Sequence, residues 1–590
     1  MRRLRWLVLC VCLLQCCGCG QERGSSPAES GVGEDSGASS AGGGENSGAA
    51  GAEVAWSFAD RTDGSGVKFV YENGEESGHF SILESLGGGL AVLDFDNDGS
   101  EDLLLAGGGR FEGREIRAAR NGLFRATGTW QWVDVSEVSG VFAAAWYSHG
   151  VSRTDFDHDG FADVLVTGYG GVQFWRNLGD GTFESPGAEC GLTDTLWSSS
   201  AAWGDLNGDR NPDVYVAHYV DWSWENDPFC AGGPNGGREI CPPRSYTGLT
   251  DVVYYSNGDG TFRDASAEAG LVSEGKGLGV VIADLDGDRD NDVYVTNDTV
   301  ANFLYENSGA GQLKDISLHS GASLSSTGVP DGSMGVDVCD YNNDGLADVW
   351  VVNYERETNA MYQNAGGMVF RHVSQRIGLN AVGGMYVGWG TTAQDFDGDG
   401  DEDIFVSNGH VIRYPQNAAL YQRPLLLENE SGRRFLNHAE TMEGWFQGEH
   451  MGRGAVAADF DRDGDMDLAV SRTRQPASLL ENRTAQHGAD SLSVRLVGRK
   501  SPRDPVGAVV RLSAGGVEQS RFIRGGGSYS SSGSESVFFA LPGDAGAAEL
   551  KIEWPSGIEQ ILRPVSGGRL VVVEGSAAAG EIGRSVRLAD

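Results

Sequence analysis

Short apolar stretches broken by glycine recur along the chain, as in GGGLAVL from Gly87, GLGVVIA from Gly277 and GRGAVAA from Gly452. Each runs into a polar turn and then a second apolar stretch, such as DLLLAGG, DVLVTGY, DVYVTND, DIFVSNG or DLAVSRT. Their length and β-branched content suit buried strands, which makes the polar turn a hairpin tip. Downstream, four units add another pair of strand signals around a turn: FWRNLGDGTFESP, VYYSNGDGTFRDA, FLYENSGAGQLKDI and MYQNAGGMVFRHV. The GDG turn favours a tight hairpin. The pattern therefore predicts four short strands per unit.

The polar turn is itself a repeat: DFDNDGSED from Asp94, DFDHDGFAD from Asp155, DLNGDRNPD from Asp205, DLDGDRDND from Asp284, DYNNDGLAD from Asp340, DFDGDGDED from Asp395 and DFDRDGDMD from Asp459. The intervals are 61, 50, 79, 56, 55 and 64 residues, and the longest holds the insertion FCAGGPNGGREICPP. At 590 residues the chain exceeds what a single growing core supports, and multiplying a small unit resolves this. Four-stranded units in this number predict a seven-bladed β-propeller over residues 56–485, with an open solenoid as the rival. A ring must close on itself. The stretch Phe58–Phe69, FADRTDGSGVKF, looks like the segment ending other units yet precedes the first turn. It is expected to add the outermost strand to the last blade.

The turn spacing is that of a calcium loop. Calcium takes six to eight oxygens, and alternate aspartates deliver carboxylates at positions one, three and five, a carbonyl at seven and a carboxylate at nine. The expected ligands are Asp94, Asp96, Asp98, Ser100 and Asp102; Asp155, Asp157, Asp159, Phe161 and Asp163; Asp205, Asn207, Asp209, Asn211 and Asp213. They continue with Asp284, Asp286, Asp288, Asp290 and Asp292; Asp340, Asn342, Asp344, Leu346 and Asp348; Asp395, Asp397, Asp399, Asp401 and Asp403; and Asp459, Asp461, Asp463, Asp465 and Asp467. An EF-hand would need a Glu at position twelve and flanking helices, and these loops have neither. Turn-forming preference alone accounts for one such loop, not for seven with one spacing. Position six is glycine except at Arg210 and Arg289, whose loops carry Gly208 and Gly287 two residues earlier; a differently shaped turn is expected there. Asn207 and Asn342 lower the charge of their loops. Up to seven structural Ca²⁺ ions follow from this reading.

Charge and cysteines narrow the function. The 84 acidic residues against 44 basic ones, a net charge of -40, argue against a nucleic-acid partner and suit cations. Arg2, Arg3 and Arg5 precede an apolar run, Trp6–Leu14, too short to span a membrane, so residues 1–19 read as an export signal. The cluster Cys16, Cys17 and Cys19 resembles a bacterial lipoprotein signal, with Cys19 acylated, Cys17 the other candidate and an ordinary cleaved signal the alternative. Residues 20–55 form a Gly- and Ser-rich tether, and 576–590 a tail. Export permits disulfides, and Cys230 with Cys241 flanks the insertion as a pair. Cys190 and Cys339 are expected to be buried thiols.

On these residues the chain resembles the FG-GAP/VCBS repeats of integrin α-chain propellers, and more closely the bacterial relatives of cartilage acidic protein, over Phe58 to Glu574. The specific part is C-terminal, where VGAVVRLSAGG, RFIRGGGSYSSSGSES, VFFAL and KIEWPSGIEQ match the ASPIC/UnbV domain. Read from its residues, 490–575 holds about seven short segments between Gly, Pro and Ser turns, a small antiparallel β-sandwich. Its sharpest motifs, Arg524–Tyr529 and Trp554–Gly557, suit either a ligand surface or a turn with an aromatic plug. The resemblance implies an extracellular calcium-binding protein in recognition and assigns no reaction. A non-catalytic recognition or adhesion scaffold for an extracellular protein or glycan is the expectation. It touches the membrane only through its lipid anchor at the cell surface. The alternatives are a polysaccharide- or ester-acting enzyme in the propeller channel, or a structural envelope component. No G-x-S-x-G or H-E-x-x-H motif occurs, and Glu449–His450 is the nearest acid/base pair.

Overall fold

The computed structural model describes residues 55–141, 143–484, 490–542 and 548–576. The export signal, Cys19, all but the last residue of the tether and almost all of the tail lie outside them. The described chain is all-β and propeller-like. Seven antiparallel sheets of one make recur, each with an Asp loop joining its first strand to its second. Sheet 1 runs Leu90–Leu93, Asp102–Leu105, Gly122–Gly128 and Gln131–Asp134. Sheet 2 runs Tyr147–Thr154, Asp163–Tyr169, Gly171–Asn177 and Phe183–Glu184. Sheets 3 to 6 repeat this order, with first strands Ser198–Gly204, Gly277–Ala283, Ser333–Cys339 and Gly388–Gln394.

Sheet 7 is built from both ends of the repeat region. Gly452–Ala458, Asp467–Arg472 and Ser478–Asn482 are followed by Phe58–Asp60, with Phe58 opposite Asn482. Only three residues of the Phe58–Phe69 stretch form that strand. Beyond it, the Arg61 N–H donates to the Leu479 carbonyl (2.8 Å) and the Ala477 N–H to that of Phe69 (2.8 Å), extending the seam.

Adjacent sheets pack through shared apolar side chains because both faces of the first and second strands are buried, while the fourth strands are partly exposed. Leu93 and Leu104 of sheet 1 meet Val151 and Val164 of sheet 2, and so on round to Val456 and Leu479 of sheet 7, which meet Val92 and Leu103 of sheet 1. The first strands are neighbours in the same order, the last touching the first. The insertion after sheet 3's second strand carries a small hairpin, Cys230–Gly233 with Gly237–Glu239, and there Cys230 and Cys241 are bonded, with Cα atoms 5.3 Å apart. Cys190 and Cys339 are buried free thiols.

The C-terminal region has the seven strands its pattern predicts, in two sheets. Val517–Phe522, Val509–Ala514, Ala548–Glu553 and Glu559–Val565 form an antiparallel sheet of four. Ser536–Leu541, Asp490–Val497 and Gly568–Val573 form a sheet of three, in which the last two strands are parallel. That corrects the purely antiparallel expectation. The parallel strands open and close the region, so no hairpin has to join them. Leu492, Val494 and Phe539 from one sheet share a core with Val510, Leu550, Ile552 and Trp554 from the other. Trp554 is fully buried, its indole N–H on Gln560 (3.2 Å), so this motif is a plugged turn.

The segment between the two sheets leaves the C-terminal core and runs along the axis of the seven first strands. Gly525–Gly526 pairs with Val281 and Ile282 as a fifth strand of sheet 4. Ser532 exchanges bonds with Leu90 and Val92 of sheet 1 (3.0 Å each), and Val151 N–H of sheet 2 donates to the Ser530 carbonyl (3.0 Å). The Ser530 hydroxyl reaches Ser199 of sheet 3 (2.9 Å), and Gly527 N–H reaches Val280 of sheet 4 (2.9 Å). Ser528 pairs with Val336 of sheet 5; its hydroxyl accepts from Thr391 of sheet 6 (3.1 Å) and donates to Ala455 of sheet 7 (2.7 Å). One short segment thus holds all seven sheets. A Cβ on Gly525 would lie 1.8 Å from the Trp203 carbonyl oxygen, which leaves room for glycine alone.

Candidate metal centres

All seven Asp loops share one backbone. Position six has positive φ throughout, including Arg210 (76°) and Arg289 (79°), beside Gly99 (84°) and Gly345 (82°). Position four is left-handed as well, at Asn97, His158, Gly208, Gly287, Asn343, Gly398 and Arg462. The expectation of a different turn at the two arginine loops is therefore corrected. Gly208 and Gly287 occupy a place that is left-handed in every loop. The hydrogen bonds that position six makes override the side-chain penalty of about 1 kcal/mol.

Those bonds follow a rule. The position-one carboxylate accepts the N–H of position six: Asp94 from Gly99 (2.9 Å), Asp155 from Gly160 (2.8 Å), Asp205 from Arg210 (2.8 Å) and Asp284 from Arg289 (3.0 Å). The position-nine carboxylate accepts two, from position two and from the third strand: Asp163 takes Phe156 N–H (3.1 Å) and Asn177 N–H (2.7 Å), and Asp292 takes those of Leu285 and Asn307. Position five caps position seven, Asp98 to Ser100 (2.9 Å) and Asp344 to Leu346 (3.0 Å). Position one thus spends one oxygen, and position nine both, on shaping the loop.

The carboxylates nonetheless converge. Carboxylate oxygens of Asp94, Asp96 and Asp102 lie within 4.8 Å of one another, as do those of Asp155, Asp157 and Asp163, of Asp284, Asp286 and Asp292, of Asp395, Asp397 and Asp399, and of Asp459, Asp461 and Asp467. These five clusters could hold a metal. Position five joins only in the Asp395 loop; Asp98, Asp159, Asp288 and Asp463 stay outside the tight groups. The loops of Asp205 and Asp340, with Asn207 and Asn342 at position three, keep the backbone without a triple carboxylate cluster. One oxygen each of Asp94, Asp155 and Asp459 is buried with no hydrogen-bond partner. A buried anionic oxygen without a partner is costly, and a cation in the cluster satisfies it.

Electrostatics agree. Burial and then neighbouring carboxylates push Asp94 up to about 6 and Asp102 to about 8. Burial chiefly lifts Asp155 to about 7 and Asp163 to about 9. The ligand set is all oxygen, which suits a hard divalent ion and leaves no soft donor for other metals.

Three groups of residues escaped the sequence reading. Buried asparagines end the third strands. The Asn177 amide reaches the Phe95 carbonyl of the preceding loop (2.8 Å) and Ala162 of its own (3.2 Å); Asn307, Asn364, Asn429 and Asn482 make the same link to Leu206, Leu285, Tyr341 and Phe396. The signal was present, as the N closing FWRN, LYEN and MYQN. Second, position eight faces the C-terminal region: Glu101 accepts from Ser534 (3.2 Å), Asn291 donates to Val506 (3.2 Å) and Glu402 lies 3.6 Å from Arg521. Third, arginines meet the loops: Arg503 to Asp155 (2.8 Å), Arg511 to the Gly345 carbonyl (3.1 Å), Arg125 to Asp96 and Asp98, and Arg176 to Asp157.

Elsewhere, the structure favours a plug for Arg524–Tyr529. Tyr529 is fully buried, its hydroxyl accepting Gly87 N–H (3.0 Å) and its ring edge-on to Trp389 (4.6 Å), while Arg524 pairs with Asp337 (2.9 Å). His450 stacks on Trp445 (4.2 Å) with its ring nitrogens on Trp445 and Arg472, a structural role. Trp197, Trp203, Trp222 and Trp389 are buried, and Trp224 is half-buried. No described helix is long and apolar enough to cross a membrane.

Comparison with known proteins matches an FG-GAP-like repeat at residues 94–166, 155–216, 245–295, 284–351 and 340–406, and an ASPIC and UnbV domain at 498–580. Cartilage acidic protein 1 of Mus musculus is 26% identical over 503 residues, covering 80% of this chain and 70% of the relative. The Homo sapiens protein is 25% identical over 516 residues, covering 82% and 70%. Among solved structures, an Agrocybe aegerita lectin described as recognising non-reducing terminal N-acetylglucosamine aligns with a TM-score of 0.36 at 16% identity, covering 66% of this chain and 86% of that one.

Proposed function

The chain is an FG-GAP-repeat protein with a C-terminal ASPIC and UnbV domain, homologous to cartilage acidic protein 1, and we propose that it is a seven-bladed calcium propeller serving as a non-catalytic recognition scaffold outside the cytoplasm. The closed order of contacts between first strands supports the ring. The five carboxylate clusters, with buried unpartnered oxygens, support Ca²⁺ at the Asp loops, and the common backbone extends the reading to the other two. When bound, calcium supplies charge neutralisation: it lets Asp94, Asp155 and Asp459 keep their charge beside other carboxylates, and so holds the hairpin tips in shape.

One observation carries the non-catalytic reading. The axis of the ring, where a channel enzyme would bind substrate, is filled by Gly525–Ser532 and capped by Tyr529. The C-terminal domain lies against the Asp loops through Arg503 and Arg511, so a partner takes the opposite face or the rim. The Cys230–Cys241 bond supports an oxidising, extracytoplasmic site, with lipid attachment at Cys19 part of the same reading. Purified full chain on protein and glycan arrays, with and without Ca²⁺, tests this. Retention of a partner that is lost in chelator is expected; turnover of a polysaccharide or ester panel would overturn it.

A further inference from the structure

The seven loops share a backbone but not a charge. In each sheet, one third-strand residue immediately precedes the residue whose N–H bonds the position-nine carboxylate. In sheets 1 and 2 that residue is an arginine. Arg125 lies 2.5 Å from Asp96 through Nε and 3.1 Å from Asp98 through Nη2, spanning positions three and five of its loop. Arg176 lies 2.7 Å from Asp157, position three of the next loop. In sheets 4 and 6 the same register holds Glu306 and Glu428, which precede Asn307 and Asn429. In sheet 7, Glu481 turns to Arg61.

The loop in sheet 2 carries a second guanidinium. Arg503 of the C-terminal domain lies 2.8 Å from Asp155, whose other oxygen is buried and unpartnered. Sequence alone ranks these two loops above those of sheets 3 and 5, with four aspartates each against three. The arginines cancel that advantage. Four carboxylates face one guanidinium in sheet 1 and two in sheet 2, whereas the loops of sheets 4, 6 and 7 have five aspartates and, among the described residues, no arginine in an ion pair with positions one, three or nine; Arg521 and Arg569 act on Asp395 and Asp459 only from further away. A fixed positive charge beside a ligand opposes a divalent cation directly.

Resting on the calcium reading above, we propose that Arg125, Arg176 and Arg503 make the loops of Asp94 and Asp155 low-affinity sites that fill and empty while the loops of Asp284, Asp395 and Asp459 stay loaded. The Asn97 amide of the first loop donates to the Gly160 carbonyl of the second (2.9 Å), and Arg462 of the Asp459 loop donates to the Ser100 hydroxyl of the first (2.9 Å), so the Asp94 loop touches both neighbours. Through Arg503, filling of the Asp155 loop reaches the C-terminal domain. By linkage, Ca²⁺ at Asp155 loosens the arginine to the degree that the arginine weakens Ca²⁺.

The test is a Ca²⁺ titration of the full chain by calorimetry, with hydrogen exchange of the loop amides assigning each step. Amides of Gly400 and Arg289 are expected to gain protection at lower Ca²⁺ than those of Gly99 and Gly160. R125Q and R176Q are each expected to tighten the loop they face by about tenfold, a value reduced for the half-exposed guanidinium groups. R503Q is expected to tighten the Asp155 loop alone. The number of ions bound at saturation stays unchanged, and melting in saturating Ca²⁺ verifies folding. Filling of Asp94 and Asp155 together with or ahead of Asp284 and Asp395, or no tightening in R125Q and R176Q, would overturn this inference and leave the calcium reading standing. No bound Ca²⁺ in any loop would overturn both.

Discussion

Truncating the axial tyrosine should unfasten the ring from its C-terminal domain. In Tyr529→Ala, a fully buried aromatic side chain is removed from beside Trp389, which costs about 3–5 kcal/mol with the residual cavity included. The Gly87 N–H loses its acceptor, adding about 1–3 kcal/mol. Tyr529→Phe keeps the ring and loses only the second part. Urea unfolding of the full chain in saturating Ca²⁺ measures both values. Hydrogen exchange locates them, because the amides of Val92, Val151 and Val336 donate to Ser532, Ser530 and Ser528 and should lose protection first. Alanine and phenylalanine variants both within about 0.5 kcal/mol of the parent, with those amides still protected, would refute the idea that this segment holds the sheets together.

Asn364→Ala removes a buried amide that bonds Leu285, Ala347 and Gly366, and should cost about 2–4 kcal/mol in the same assay; no loss would show that the asparagine links are not structural. In chelator, stability should fall as pH rises from about 4 to about 9. Asp155, pushed up to about 7, and Asp163, to about 9, bind protons more tightly folded than unfolded, so their contribution is complete below the unfolded value and lost as pH passes through the folded one. A chelated protein whose urea midpoint is higher at pH 8 than at pH 5 would contradict this. Replacing Cys230 and Cys241 with serine should cost up to roughly 3 kcal/mol, read as faster hydrogen exchange in residues 219–251 with the seven sheets unchanged.

The sheets were legible because the Asp motif is periodic and each copy is flanked by strand-like runs, and Phe58–Asp60 could be assigned to the last sheet because that sheet lacked a strand. What escaped has a common cause. Positive φ at position four is carried by Asn, His, Gly and Arg alike, so residue type conceals it. Arg125 and Arg176 bear on the loops through strand register, and Arg503 through a contact between domains, neither visible in local spacing. RGGGSYSSSGS reads locally as a loose turn; only the seven first strands around it order it. The parallel pair of Asp490–Val497 with Gly568–Val573 joins segments that have the five other strands of the two C-terminal sheets between them.

The account turns on metal at the Asp loops, and the calcium content of the purified chain tests that most directly. After equilibration with millimolar Ca²⁺ and removal of free ion under conditions that retain micromolar binding, elemental analysis should find at least the three ions of the Asp284, Asp395 and Asp459 loops. The number should rise towards seven when free Ca²⁺ is held at millimolar levels. A folded chain with no bound calcium under either condition would contradict it.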